Sequence, residues 1–142
     1  MKKISLFFIG LFWASALFAQ QIDSTSAQQP ETFNMQWGDS TYVMQKYFVV
    51  FLTAGPNRSQ SEEEKAEIQK QHLAHLNNLY EMKKTSITGP FDDNDDILGM
   101  VIFNTATKEE AKKLAEQDPA VKAGRLLVEV HPFWSAKGMT LR

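Results

Sequence analysis

Among the three histidines of the chain, one stands where a leucine would be expected. Ser61 to Met82 has the period of a single amphipathic helix, and at about 100° per residue Ile68, Leu79, His72 and Leu76 fall in that order around one face. His72 therefore sits near the middle of the apolar stripe. Such a stripe faces a core, where an imidazole needs a hydrogen-bond partner or a cavity with polar walls. Two readings follow. Either His72 is a satisfied core histidine, or burial and a neighbouring carboxylate tune it for general acid/base chemistry near neutral pH. A second group falls on the last strand, where Arg125, Leu127, Glu129 and His131 alternate onto one side. Glu129 and His131 suit either the pocket of His72 or ion pairing at an interface, and Arg125 has the fork to hold an anionic substrate bidentately. Arg58, in a Gly-Pro-Asn-Arg-Ser loop, either reaches the pocket mouth or is a solvated loop arginine.

Other chemistries fail on spacing. Asp92, Asn94 and Asp96 match the first ligands of an EF-hand, but Ile97 stands where glycine is required and Phe103 where the bidentate glutamate should be. His72, His75 and His131 are scattered and lack a close carboxylate, which makes a poor zinc set. There is no Gly-x-Ser-x-Gly nucleophile, no phosphate loop and no nucleotide fingerprint. No metal and no cofactor are expected, and the chemistry left to the chain is cofactor-free proton transfer.

The elements that must position these residues begin after a leader. Lys2 and Lys3 precede an apolar run from Ile4 to Phe18, short for a membrane span of about 20 residues but right for a secretory segment. Ala14, Ala16 and Ala19 close it, so residues 1–19 read as a signal peptide cleaved after Ala19, or after Ala16, leaving an exported, periplasmic or secreted protein with no stable membrane insertion. Cleavage after Ala19 removes two lysines and no acid from 15 basic and 17 acidic residues, for a mature charge of −4. That balance argues against nucleic acid, which needs a clustered basic face. With zero cysteines an exported chain has no disulfides, so its core must suffice alone or be completed by a partner chain. Residues 20–45, rich in Gln, Ser, Thr and Asp, read as a flexible tether.

The folded unit spans residues 46–138, with a short tail at 139–142. Tyr47 to Leu52 is an apolar first strand. Ser61 and Glu64 form a capping box opening the first helix, which Lys83 and Lys84 close. Thr85 to Phe91 is a second strand, Asp92 to Asp96 an acidic loop, and Gly99 to Asn104 a third strand. Thr107 and Glu110 form a second capping box, and Asp118-Pro119 caps one further short turn that Gly124 stops. Leu126 to His131 is the fourth strand, with Leu126, Val128 and Val130 on its apolar side. The order βαββαβ gives an α+β, ferredoxin-like fold with an antiparallel four-stranded sheet and two helices on one face. The first and third strands are apolar on both sides, so the other sheet face needs cover, which a homodimer supplies.

With the elements placed, the chain resembles the YCII-related (YciI-like) family of the dimeric α+β barrel superfamily. The resemblance rests on His72-Leu73-Ala74-His75-Leu76, on Gly89-Pro90-Phe91, on Gly99 after the acidic loop, and on Asp118-Pro119-Ala120-Val121-Lys122-Ala123-Gly124 leading into Glu129-Val130-His131-Pro132-Phe133-Trp134. It implies an active site pairing a helix histidine, which maps onto His72, with an aspartate after the Gly-Pro strand end. Asp96, three residues before Gly99, takes that role, with Asp93 in reserve. Arg58, Asp93, Arg125, Glu129 and His131 would then contact the substrate. The implied function is a small-molecule enzyme performing elimination, isomerisation or lactone chemistry. A non-catalytic small-ligand-binding dimer and a structural accessory protein are the alternatives.

Overall fold

The computed structural model describes residues 28–93 and 95–141. Its elements are β1 (Thr32–Trp37), β2 (Ser40–Ala54), α1 (Glu62–Glu81), β3 (Thr85–Pro90), β4 (Ile97–Phe103), α2 (Lys108–Ala115), α3 (Pro119–Lys122) and β5 (Leu126–Ala136). All strand pairs are antiparallel. β5 runs along β2 from Met44 to Ala54 and so occupies one edge of it beyond the first four residues. The other edge is shared by β4, from Phe48 to Thr53, and β1, from Ser40 to Gln45. The resulting order β3-β4-β2-β5 is that of the ferredoxin-like fold, α+β as its βαββαβ pattern requires.

β1 makes the sheet five-stranded rather than four-stranded and corrects the reading of residues 20–45 as tether, at least from Thr32 onward. Phe33, Met35 and Trp37 alternate with polar residues in strand fashion, and Gly38, with φ +59°, takes the first place of a two-residue turn in the manner of a type II′ hairpin. The apolar side chains of this hairpin are few and mostly exposed, so composition reads as linker. What holds it is pairing to β2, the Phe33–Trp134 edge-on contact at 4.9 Å and the ion pair of Lys46 with Glu31. The leader expected at residues 1–19 and the tether at residues 20–27 lie outside the described residues. No helix among the described residues is long and apolar enough to cross a membrane.

Strand alternation decides what the core contains. Phe48, Val50 and Leu52 of β2, Val101 and Phe103 of β4 and Val130 of β5 turn toward the helices and pack with Leu79, Ala111 and Ala115. The side chains between them turn the other way. Tyr47, Phe51, Ile102 and Phe133 form an apolar sheet face that no helix among the described residues covers, half-shielded at one end by Met139 to Leu141. Burial there pushes the Tyr47 phenol above its ordinary 10.0.

α1 starts on the capping box read from the sequence. The Ser61 hydroxyl accepts from Glu64 N–H at 3.2 Å, and the Glu64 carboxylate accepts from Ser61 N–H at 2.8 Å. Lys65 hydrogen-bonded to Glu62, and the backbone N–H bond to Glu63, hold these first-turn carboxyls below their ordinary 4.5. At α2 only half of the expected box forms. Thr107 accepts from Glu110 N–H, but Glu110 turns its carboxylate to Ala106 N–H and to Lys84.

Candidate active site

His72 lies two turns before Leu79 on α1, and both are buried. Its Nδ1 is 2.7 Å from Oδ2 of Asp118, and both side chains are about nine-tenths or more out of solvent. Asp118 is in turn fixed as the N-cap of α3, where its Oδ1 accepts from Ala120 N–H at 2.8 Å. A carboxylate only accepts, so a ring hydrogen sits on Nδ1, and in the neutral imidazole Nε2 carries the lone pair. No described residue hydrogen-bonds Nε2, yet among the described residues no buried side-chain nitrogen or oxygen lacks a partner. Nε2 therefore reaches open space, and that space is a cavity of about 410 Å³ between α1 and the β3–β4 side of the sheet.

Apolar residues are prominent in the cavity wall, among them Ile68, Leu76, Leu98 and Leu126, and Arg125 and the exposed Arg58 also line it. One set of bonds brings these arginines there. Gly55 N–H donates to Arg125 O at 2.8 Å and Asn57 N–H to Gly124 O at 3.0 Å, while the Asn57 and Gln60 amides both donate to Ala123 O. A Cβ on Gly55 would lie 2.3 Å from Gly124 O, so only glycine allows this approach. Arg125 closes the set by donating from Nη1 to Gln60 Oε1 at 3.0 Å.

The other expected site residues fall elsewhere. Asp96 and Asp93 are exposed, neither lines the cavity, and Asp93 accepts only from the nearby Asp95 N–H. The carboxylate on His72 is thus Asp118, in place of Asp96 or Asp93, because α3 packs on α1 whereas Asp93 and Asp96 lie exposed and outside the cavity lining. Glu129 and His131 pair with each other at 2.9 Å on the outer sheet face, the ring of His131 5.8 Å from that of Phe51. They cannot share the pocket of His72 within one chain. Arg125 parts company with them because it precedes β5, in the turn made by Gly124 at φ +70°, where strand alternation does not apply. His75 donates from Nε2 to Leu114 O and so ties α1 to α2. Asp118 was readable only as a helix cap. The one hint in the sequence is that a cap uses a single carboxylate oxygen and leaves the other to be satisfied.

A larger cavity, about 600 Å³, opens between the base of the hairpin and the start of α2. Its central polar groups already pair, Gln45 with Asn104 and Lys84 with Glu110, and none of the groups around His72 reaches it.

A ferredoxin-like α+β domain with a buried histidine–aspartate pair opening on one small cavity is the class that this fold and site define. The chain belongs to the YCII-related domain family, whose model matches residues 47–134. No curated protein matches the chain. Among solved structures it is similar to 5-chloro-2-hydroxyhydroquinone dehydrochlorinase from Burkholderia phenoliruptrix AC1100, in complex with 2,5-dihydroxybenzoquinone, at 25% identity and a TM-score of 0.45 over 60% of this chain and 90% of that one.

Proposed function

We propose that this chain is a small-molecule enzyme in which His72 moves a proton and Asp118 positions it. The observation that carries the reading is the Nδ1–H bond to Asp118, which leaves Nε2 as an acceptor at the cavity wall. Nε2 takes a proton from the substrate and the Asp118 carboxylate stabilises the imidazolium. In an elimination, the electron pair of the broken C–H bond becomes the new double bond, the leaving group departs with its own pair, and the imidazolium returns the proton to it or to solvent. In an isomerisation the proton goes back at another carbon. Neither needs a cofactor. The uncovered sheet face supports a homodimer as the working form.

A second reading is favoured by the cap. Asp118 bonds both His72 and Ala120, so the pair is equally a pin between α1 and α3. His72→Asn separates the two, because its amide N–H can still donate to Asp118 while the proton-accepting Nε2 is gone. The expected result is a melting temperature close to that of the parent, with turnover over a panel of small halogenated, hydroxylated and lactone compounds lowered by about 10²–10⁴-fold. Undiminished turnover, or a ring whose ¹⁵N spectrum shows the hydrogen on Nε2, would reject the enzymatic reading.

A further inference from the structure

We infer that the His72 cavity is built for a ligand with an anionic head and an apolar body, and that Arg58 and Arg125 take the head. This names the substrate class of the site proposed above and rests on that reading. The lining contains two arginines and His72 but no aspartate or glutamate. Neither arginine is in an ion pair with a described residue. Arg125 gives one N–H to the neutral Gln60 amide and keeps the rest of its donors, and Arg58 bonds to no described side chain or backbone group. Glu62, at the start of α1, feels the charge of Arg125 only weakly and is bound by Lys65. The one carboxylate bonded to a lining side chain is that of Asp118, already taken by His72 and Ala120 N–H, so neither guanidinium has a carboxylate bound to it among the described residues.

Two features show that the charge is placed rather than incidental. The loop carrying Arg58 is anchored on both sides of that residue, by Gly55 and Asn57 before it and Gln60 after it, all onto Ala123–Arg125. Arg125 belongs to the segment they grip. The backbone positions that carry the two arginines thus belong to one hydrogen-bonded unit, from which the exposed Arg58 and the Gln60-bound Arg125 both reach the cavity lining, and a planar fork is the geometry that matches a carboxylate. The rest of the lining includes Ile68, Leu73, Leu76 and Leu98, which suit the apolar remainder of such a molecule.

The test uses benzoate and its neutral isostere benzamide, titrated onto the full chain at low salt and followed by calorimetry and ¹H–¹⁵N spectra. Benzoate should bind at least about tenfold more tightly than benzamide, and more weakly as salt is raised. Arg58→Gln and Arg125→Gln should each lower the affinity for benzoate by about tenfold or more and leave that for benzamide unchanged. Arg58 has no internal partner to lose, so its variant keeps the fold. Equal binding of the two probes, no binding of either, or benzoate affinity unaffected in both variants overturns the assignment. The two readings fail separately. If benzoate needs the arginines but His72→Asn leaves turnover intact, the proton-transfer reading falls and the anion site stands; if His72→Asn abolishes turnover but benzoate ignores the arginines, the anion site falls alone.

Discussion

At the scale of single residues, Asp118 has two tasks, one for each carboxylate oxygen, and they can be separated by substitution. Asp118→Ala removes a helix cap, worth about 1 kcal/mol, and orphans a buried imidazole N–H, worth about 1–3 kcal/mol. Denaturant melts should show a loss of about 2–4 kcal/mol. Asp118→Asn should be milder, because its amide oxygen still accepts from Ala120 N–H. Its N–H₂ group, however, faces Nδ1 and favours the tautomer with hydrogen on Nε2, so turnover should fall by about 10²-fold or more while the fold survives. Wild-type turnover in Asp118→Asn would remove Asp118 from the mechanism. The singularity of His72 was legible from its place on an apolar stripe. Its partner was not, because the two residues are 46 positions apart and only the docking of α3 on α1 brings them together.

Among the elements, the end of α1 shows how local rules are met by an ill-suited residue. Lys83 N–H donates to Tyr80 O and Lys84 N–H to Leu79 O, the two bonds of a Schellman stop, and Lys83 takes the left-handed position with φ +57°. A side chain there is strained, and glycine is the residue that the position prefers. Lys83→Gly is expected to stabilise the domain by about 0.5–1 kcal/mol in chemical denaturation, since its strain relief exceeds the added freedom of the unfolded chain. A destabilised variant would mean that the lysine makes compensating contacts. The helix boundaries were readable because capping boxes and the Asp-Pro start are local signals, satisfied within three or four residues. The β1 hairpin was missed for the opposite reason: its alternation of Phe33, Met35 and Trp37 spans only six residues, and its partner strand supplies most of its support.

For the whole molecule, the uncovered sheet face is the dominant unfinished business of the fold. Phe51 lies on it beside Phe91 and His131, and Tyr47, Ile102 and Phe133 continue it along the strands. A second copy of the same face would cover it by isologous pairing. The expected outcome is a dimer by light scattering at micromolar concentration, converted to monomer by Phe51→Asp with the circular dichroism of the fold retained. A monomeric parent protein would defeat this proposal and leave the His72 cavity untouched, since that cavity lies on the helix side of the sheet.

What the sequence determined by itself was the βαββαβ order of residues 46–138: periods of 3.6 and 2, caps and glycine stops act over a few residues, so these elements, and the apolar side of the last strand, could be read directly. It also singled out His72, because a polar group on an apolar stripe is a local anomaly. Only the tertiary structure decided which carboxylate meets that histidine, that Arg125 joins Arg58 instead of Glu129 and His131, and that the strand face of Glu129 and His131 is the outer one. Those outcomes depend on how α3 docks on α1 and how one left-handed turn at Gly124 aims the residue after it, packing events between segments far apart in the chain that no local spacing records.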